Sequence, residues 1–385
     1  MSSKLKDKIE KDFINFFQKK PALYVAPARI NIIGEHIDYN DGFVMPAAID
    51  KHFVFAIRES GNEKCNIYAD DFKEGVSFSL HELNPGEAWI NYLMGMLDAF
   101  QRKGILKSGV DCVFGGNIPA GAGMSSSAAL CCGFGFALND LFETKLDALT
   151  IAKMAQYSEH EFVGVNCGIM DQYACMFGEK NSVIHLDCKN LTHEVLSFQP
   201  RDHSLLLVDT KVKHSLGTSA YNNRREACEI GLTVIKRKFP NVESWRNVTQ
   251  DMLHDREETL GQEIFIKGLF VVKEIDRALK AGSLIKQMDF TGLGELMYQA
   301  HWGLSQAYEV SCEELDFLVM LAEEDKNAVI GSRMMGGGFG GCTINLVRKD
   351  QEESFKERVR LKYFTTFKKE PDFYPVQLSN SVHKI

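Results

Sequence analysis

Leu5, Ile9, Phe13, Phe16 and Phe17 recur at helical spacing and predict an opening helix with one apolar face. Short apolar runs at Leu23–Val25, Ile30–Ile33, Phe43–Ile49 and Phe53–Ile57 then read as buried strands. The pattern next predicts a helix over Trp89–Gln101, a strand at Val110–Phe114, a helix starting within Ser125–Ala129 and reaching about Leu141, and a helix over Leu149–Phe162 that stops at Gly164. Strand signals return at Val183–Asp187 and Ser204–Val208. Beyond Thr218 the periodicity is mostly helical, over 218–238, 260–281, 285–308 and 313–323. The chain closes with GGGFGG, a strand at Cys342–Val347, a helix at about 351–363 and a short β tail. Strands and helices interleave without a regular βαβ rhythm, so the expected class is α+β. A chain of 385 residues exceeds the usual single core. The polar stretch LTHEVLSFQPRDHS divides it into residues 1–197 and residues 198–385, the second carrying the 336–341 glycines.

Composition adds constraints. Hydrophobic content of 45% and charged content of 25% are those of a globular chain. A net charge of −8 argues against nucleic acid or an anionic membrane as partner. A polyanion would have to be held by backbone N–H groups. MSSKLKDKIEKDF is too charged for a signal peptide, and no apolar run approaches about 20 residues, so a cytoplasmic protein is expected. The ten cysteines contain no C-x-x-C pair, and several sit in apolar context, as in AALCCGFGFAL. They read as reduced, buried thiols, with a redox pair at Cys131–Cys132 the lesser alternative.

Two segments carry candidate chemistry. In PARINIIGEHIDYNDG, Arg29, Glu35, His36 and Asp38 fall within ten residues. Carboxylates, an imidazole and a guanidinium together suit a neutral ligand rich in hydroxyls, because acceptors and donors alternate. The plain alternative is a solvated turn. In PAGAGMSSSAA, small residues and three serines precede an apolar helix. Glycines allow close backbone approach, and a helix start offers unpaired N–H groups to a phosphate. A flexible linker is the alternative, and the flanking apolar strand and helix argue against it. The chain has no Gly-Lys dipeptide, which excludes the Walker-type loop. Gly336, Gly338 and Gly341 fit G-x-G-x-x-G, but a strand is expected after them and none before, the reverse of a dinucleotide site.

PARINIIGEHIDYN, PAGAGMSSSAA, NCGIMDQ, SAYNNRREAC and RMMGGGFGGCT, in that order between about residues 25 and 347, resemble the galactokinases. That family lies within the galactokinase, homoserine, mevalonate and phosphomevalonate kinase superfamily. The resemblance implies a two-domain sugar-kinase fold with the active site in the cleft between the N- and C-terminal domains. It implies transfer of the ATP γ-phosphoryl to the anomeric hydroxyl of galactose, with Mg²⁺. Glu35, His36 and Asp38 would grip the sugar, completed by Gly168 and Tyr221. Gly121, Ala122, Gly123, Met124, Ser125, Ser126 and Ser127 would wrap the ATP phosphates. Ser127 and Glu159 would hold the metal. Asp171 would act as base, with Arg29 as transition-state stabiliser. The residues alone allow plainer readings: an N-cap for Asp171, exposed helix positions for Glu159 and Tyr221. Trp89 reads equally as an adenine contact or a core residue. Ala28 stands where the family usually has glycine, a change without cost unless the backbone there needs positive φ.

A carboxylate beside a guanidinium is a weak proton acceptor, and phosphoryl transfer through a loose transition state asks little of a base. Asp171 is therefore expected to orient the hydroxyl and take its proton late. The rivals are a kinase for N-acetylgalactosamine and a galactose- and ATP-binding regulator without catalysis. Galactose and ATP are the expected partners, and a monomer the expected state.

Overall fold

The computed structural model describes residues 3–86, 89–212 and 217–385. The predicted opening helix forms at Ser3–Phe17 and lays Ile9 and Phe13 against Leu23, Val25, Val54 and Val113. Alternation sends the intervening Tyr24 and Ala26 to the opposite face, into the main core. The sheet between these faces has six strands, in the order His383–Lys384, Ala22–Asn31, Pro46–Glu59, Val110–Gly116, Lys64–Ala69 and Glu74–Ser79. All neighbours are antiparallel except Lys64–Ala69 on Val110–Gly116. Helices Ile90–Arg102, Ser126–Leu141, Ala148–Ser158 and Met170–Phe177 pack together on the main-core side.

A second sheet is wholly antiparallel, in the order Val329–Met334, Cys342–Arg348, His203–Asp209 and Asp372–Val376. It is covered by helices Phe290–Gln306, Glu313–Glu323 and Glu352–Phe367, through a core of Leu206, Val208, Leu318, Val347, Phe355 and Tyr363. A small sheet of Phe43–Val44, Ser182–Asp187 and Thr192–Ser197 adjoins helix Gln262–Lys286, which also packs on helices Gly217–Lys238 and Phe290–Gln306. After Asp372–Val376 the tail leaves the second sheet and ends on the first.

The mixed α and β composition agrees with the sequence expectation; several details do not. The runs at Leu23–Val25 and Ile30–Ile33 belong to one strand, Ala22–Asn31, with a register shift between Pro27 and Arg29. Strands Lys64–Ala69, Glu74–Ser79 and Thr192–Ser197 were not predicted, because their exposed faces hold mixed polar residues and the apolar signal is thin. The two long helices break at 287–289 rather than 282–284, where Asp289 caps Phe290–Gln306 through Gly292 N–H. A strand, Val329–Met334, does precede the 336–341 glycines, so these form the turn of a hairpin. The dinucleotide reading still fails, since no helix follows them directly. All ten cysteines are free; Cys167 and Cys312 are half-buried and the rest buried.

Candidate active site

The site begins at the register shift. Pro27 faces His52 and Arg29 faces Ala48 across the same pair of strands. Proline has no N–H for the ladder, and the irregularity turns the next side chains off the regular pleat. Ala28 lies in the core without positive φ, so its methyl fits where the family usually has glycine. Arg29 is buried and reaches Asp171 with both arms of its guanidinium, Nε to Oδ1 at 2.7 Å and Nη2 to Oδ2 at 2.8 Å. Its third nitrogen donates to the Gly123 carbonyl at 2.6 Å. Ser125 Oγ donates to Asp171 as well. One arginine thus ties a strand, the serine loop and the start of helix Met170–Phe177 together.

On one side of this pair lie the hydroxyl-binding candidates. Glu35 is 1% exposed, and its Oε1 accepts from Arg333 Nη2 at 3.1 Å and from the Gly336 N–H at 2.8 Å. Arg333, fully buried, spends its other donors on the carbonyls of Asn31, Ile32 and Met334. Preceding Glu35, Gly34 has φ +98 and donates its N–H to the buried Glu274. His36 takes a left-handed φ of 62 and stacks obliquely on Tyr221, ring centroids 5.1 Å apart. Burial pulls the His36 imidazole down to about 4, so it is neutral at neutral pH. Asp38 is pushed up to about 7, by burial first and by Asp171 and Glu35 next. Only glycine fits at 168: a Cβ there would come 1.9 Å from Asp38 Oδ2.

On the other side is the serine loop. Gly121 and Gly123 have positive φ, and Ser125 sits at φ 53 just ahead of helix Ser126–Leu141, so the loop turns sharply onto the helix N-terminus. Gly123 and Gly336 touch across the cleft floor, where a Cβ on either would come 3.1 Å from a carbonyl of the other loop. Glu159 opens a π turn, Glu159–Val163, that ends at Gly164 with φ 78. The turn draws its carboxylate inward, where Gln172 Nε2 donates to it at 2.7 Å and Ser127 also hydrogen-bonds it. Burial, then the Asp171 charge, raises Glu159 to about 7 despite these bonds. A buried carboxylate with no ion pair among the described residues, beside a serine hydroxyl, is a hard-oxygen donor set that fits Mg²⁺.

Every residue to which the resemblance assigns a catalytic, sugar, phosphate or metal role lines one cleft of about 360 Å³: Arg29, Glu35, His36, Asp38, Gly121 to Ser127, Glu159, Gly168, Asp171 and Tyr221. Tyr92, Cys167 and the 335–340 loop complete the wall. Trp89 does not line it; its Nε1 donates to Glu74 at 3.1 Å and its ring packs on Phe72 and Phe114. Sequence reasoning passed over Arg333 and Glu274. An arginine in an apolar run just ahead of a glycine cluster was a usable signal for Arg333. Glu274, in the amphipathic stretch VVKEIDRALK, carried none.

Comparison with known proteins gives the same grouping. Residues 11–59 match the galactokinase galactose-binding signature, 91–179 the GHMP kinases N terminal domain and 281–365 the GHMP kinases C terminal domain. The chain is 38% identical over 361 residues to a galactokinase of Thermotoga neapolitana, covering 94% of this chain and 99% of that one. A Clostridium beijerinckii galactokinase is 37% identical over 384 residues, 98% of each chain. The crystal structure of Lactococcus lactis galactokinase complexed with galactose superposes with a TM-score of 0.95 at 31% identity, covering 99% of this chain and 100% of that one. Methanococcus jannaschii mevalonate kinase shares the fold at a TM-score of 0.64 and 18% identity, over 94% of this chain and 100% of that one. The chain belongs to the galactokinase family, within the GHMP kinases.

Proposed function

We propose that the chain is an ATP-dependent sugar kinase that transfers the γ-phosphoryl group to the anomeric hydroxyl of galactose. The observation that carries this reading is the meeting, at the Arg29–Asp171 pair, of a carboxylate-bearing wall and a serine loop at a helix N-terminus. The family and the galactose in the Lactococcus lactis relative support it.

Glu35, His36, Asp38 and Tyr221 bind the sugar, and Gly168 lets Asp38 lie close. Asp171, held in orientation by the forked Arg29 contact, accepts the anomeric O–H. The sugar oxygen attacks the γ-phosphorus, the bond to the β-phosphate oxygen breaks, and the hydroxyl proton passes to Asp171 late in transfer. Arg29 and the N–H groups of Gly121 to Ser127 stabilise charge developing on the phosphoryl oxygens. Glu159 and Ser127 would hold Mg²⁺, which when bound neutralises charge on the phosphate oxygens. Alignment by these fixed groups supplies most of the acceleration.

We further place the functional division at 197/198 and the chain in the cytoplasm as a monomer. Ten free thiols support a reducing compartment. Among the described residues no helix is long and apolar enough to cross a membrane.

Phosphorus NMR of the product from ATP, Mg²⁺ and galactose tests the reading. A phosphate at the first carbon is expected; a phosphate at the sixth carbon, or none, overturns it. ADP release with the same sugar separates a kinase from a binding regulator, and N-acetylgalactosamine in parallel separates the two sugar specificities.

A further inference from the structure

Behind the cleft wall, four side chains from distant segments form a continuous hydrogen-bonded line. His36 Nε2 lies 3.2 Å from the Gly337 carbonyl, and His36 Nδ1 lies 2.8 Å from the Tyr39 hydroxyl. The Tyr39 hydroxyl is 3.0 Å from that of Tyr308, which is 3.1 Å from Cys228 Sγ. Cys228 Sγ also accepts from Asn40 Nδ2 at 3.5 Å. A carbonyl only accepts, so its partner Nε2 carries the proton. A neutral imidazole has one N–H, so Nδ1 is bare and takes the Tyr39 proton. Tyr39, its one proton given, accepts from Tyr308; Tyr308 in turn accepts the Cys228 S–H. The direction of every bond follows from the Gly337 carbonyl. The charges agree: burial lowers His36 and raises Tyr39, Tyr308 and Cys228, so the ring is neutral and the other three keep their protons.

We propose that Tyr39 and Tyr308 are positioning residues that hold His36 as the Nε2–H tautomer, so that its one N–H stays on the Gly337 carbonyl and the ring is fixed in the wall that meets the sugar. The consequence is structural: the ring ties the sugar loop to the 335–340 loop of the C-terminal half, and Glu35 and Asp38 lie beside a ring that is neutral and fixed in orientation. The opposite tautomer would set a bare Nε2 against the Gly337 carbonyl, two acceptors face to face, and release the ring. Tyr308 follows helix Phe290–Gln306 and Cys228 lies in helix Gly217–Lys238, so the C-terminal half sets the tautomer of an N-terminal-half ligand. The sugar side of this inference rests on the proposed function.

The test uses full-length protein labelled with ¹⁵N-histidine, the His36 signals being identified by their loss in His36→Gln. Two-bond ¹H–¹⁵N correlation at neutral pH is expected to show a bare Nδ1 and a protonated Nε2 in the wild type. A protonated Nδ1 overturns the proposal, and this measurement needs no variant to fold. Tyr39→Phe is expected to move the Nδ1 resonance and raise the galactose KM about tenfold, with kcat and the ATP KM changing by less than about twofold. Tyr308→Phe should move both readouts the same way and less. An unmoved resonance together with an unmoved galactose KM in Tyr39→Phe overturns the proposal. The tautomer is read without turnover: if it is as expected while galactose is not phosphorylated, the proposed function falls and the assignment of Tyr39 and Tyr308 to His36 stands.

Discussion

The two walls of the cleft are built by opposite means. On the proposed sugar side, polar side chains are buried and already bonded: Glu35 to Arg333 and Gly336, His36 to Tyr39 and Gly337, Glu274 to Gly34. On the phosphate side, PAGAGMSSSAA has no charged residue and offers backbone N–H groups and hydroxyls at a helix start. A neutral polyol has to be distinguished from its stereoisomers by fixed donors and acceptors, which only a rigid wall supplies. A triphosphate brings its own charge, and small residues that expose the backbone suffice. On the proposed function, one wall reads stereochemistry and the other holds charge. Arg29 and Asp171 stand where they meet.

The contrast is tested most strongly by glucose, which differs from galactose in the orientation of one hydroxyl. A site that pairs buried polar groups with that hydroxyl leaves them unpaired when it moves, worth on the order of 10⁴-fold in kcat/KM. Comparable specificity constants for the two sugars would show that Glu35, His36 and Asp38 do not read that position.

At the junction, Asp171→Ala is expected to lower kcat by on the order of 10³-fold with ATP affinity nearly unchanged. Asp171→Asn should retain more activity than Ala if orientation of the hydroxyl dominates, and no more if proton removal does. Near-normal kcat in both variants assigns catalysis elsewhere. Circular dichroism checks that a silent variant is folded, since Asp171 lies in the first turn of a helix.

Rigidity of the sugar wall is broken by Arg333→Met, which leaves Glu35 buried without its cation and costs about 3 kcal/mol of stability. Urea denaturation measures the loss. Glu35→Gln in the same chain should recover part of it, and no loss in the single variant would remove Arg333 from the wall's support.

The buried carboxylate Asp38 gives a pH signature. Its folded value, about 7, lies above its ordinary range. Between the two the folded chain keeps a proton that the unfolded chain has released. This contribution to stability is therefore complete at low pH and declines as pH rises towards about 7, by at most about 1.4 kcal/mol per pH unit. Asp38→Asn has no proton to lose, so it should gain on the wild type across that range and stay level above it. A difference independent of pH in urea midpoints would mean that Asp38 is not held protonated.

The smallest effect belongs to the phosphate wall. Ser126→Ala removes one neutral hydroxyl and should raise the ATP KM by a few-fold, about 1 kcal/mol, without changing the galactose KM. An equal change in both constants would mean that the walls are not separable.

Locally encoded features were legible in the sequence. Helix Glu313–Glu323 announces itself by apolar periodicity, and Ser126–Leu141 by a long apolar run directly after the serine loop. The serine loop was readable because its glycines, its serines and the helix it serves are contiguous. The sugar loop was readable because four polar groups of matched type crowd into ten residues between apolar runs. Glu159, Asp171 and Tyr221 had no such signal of their own: each passes for an N-cap or a helix surface, and the family resemblance singled them out.

Other features exist only in three dimensions. Strand Val329–Met334 looks unremarkable in sequence, yet it carries Arg333 to Glu35, 298 positions away. Glu274 meets Gly34 across 240 positions, and Tyr308 meets Tyr39 across 269. The tail strand His383–Lys384 is defined by pairing with Tyr24 and Val25. The difference is physical. Helix and turn preferences arise from atoms a few residues apart, so the chain states them locally. A buried charge is stabilised by whichever partner the fold delivers, and a strand by whichever edge accepts its hydrogen bonds. The sequence alone determined what kinds of ligand the two loops suit, and the tertiary structure decided which distant groups make the sugar loop rigid and fix which of its atoms donate and which accept.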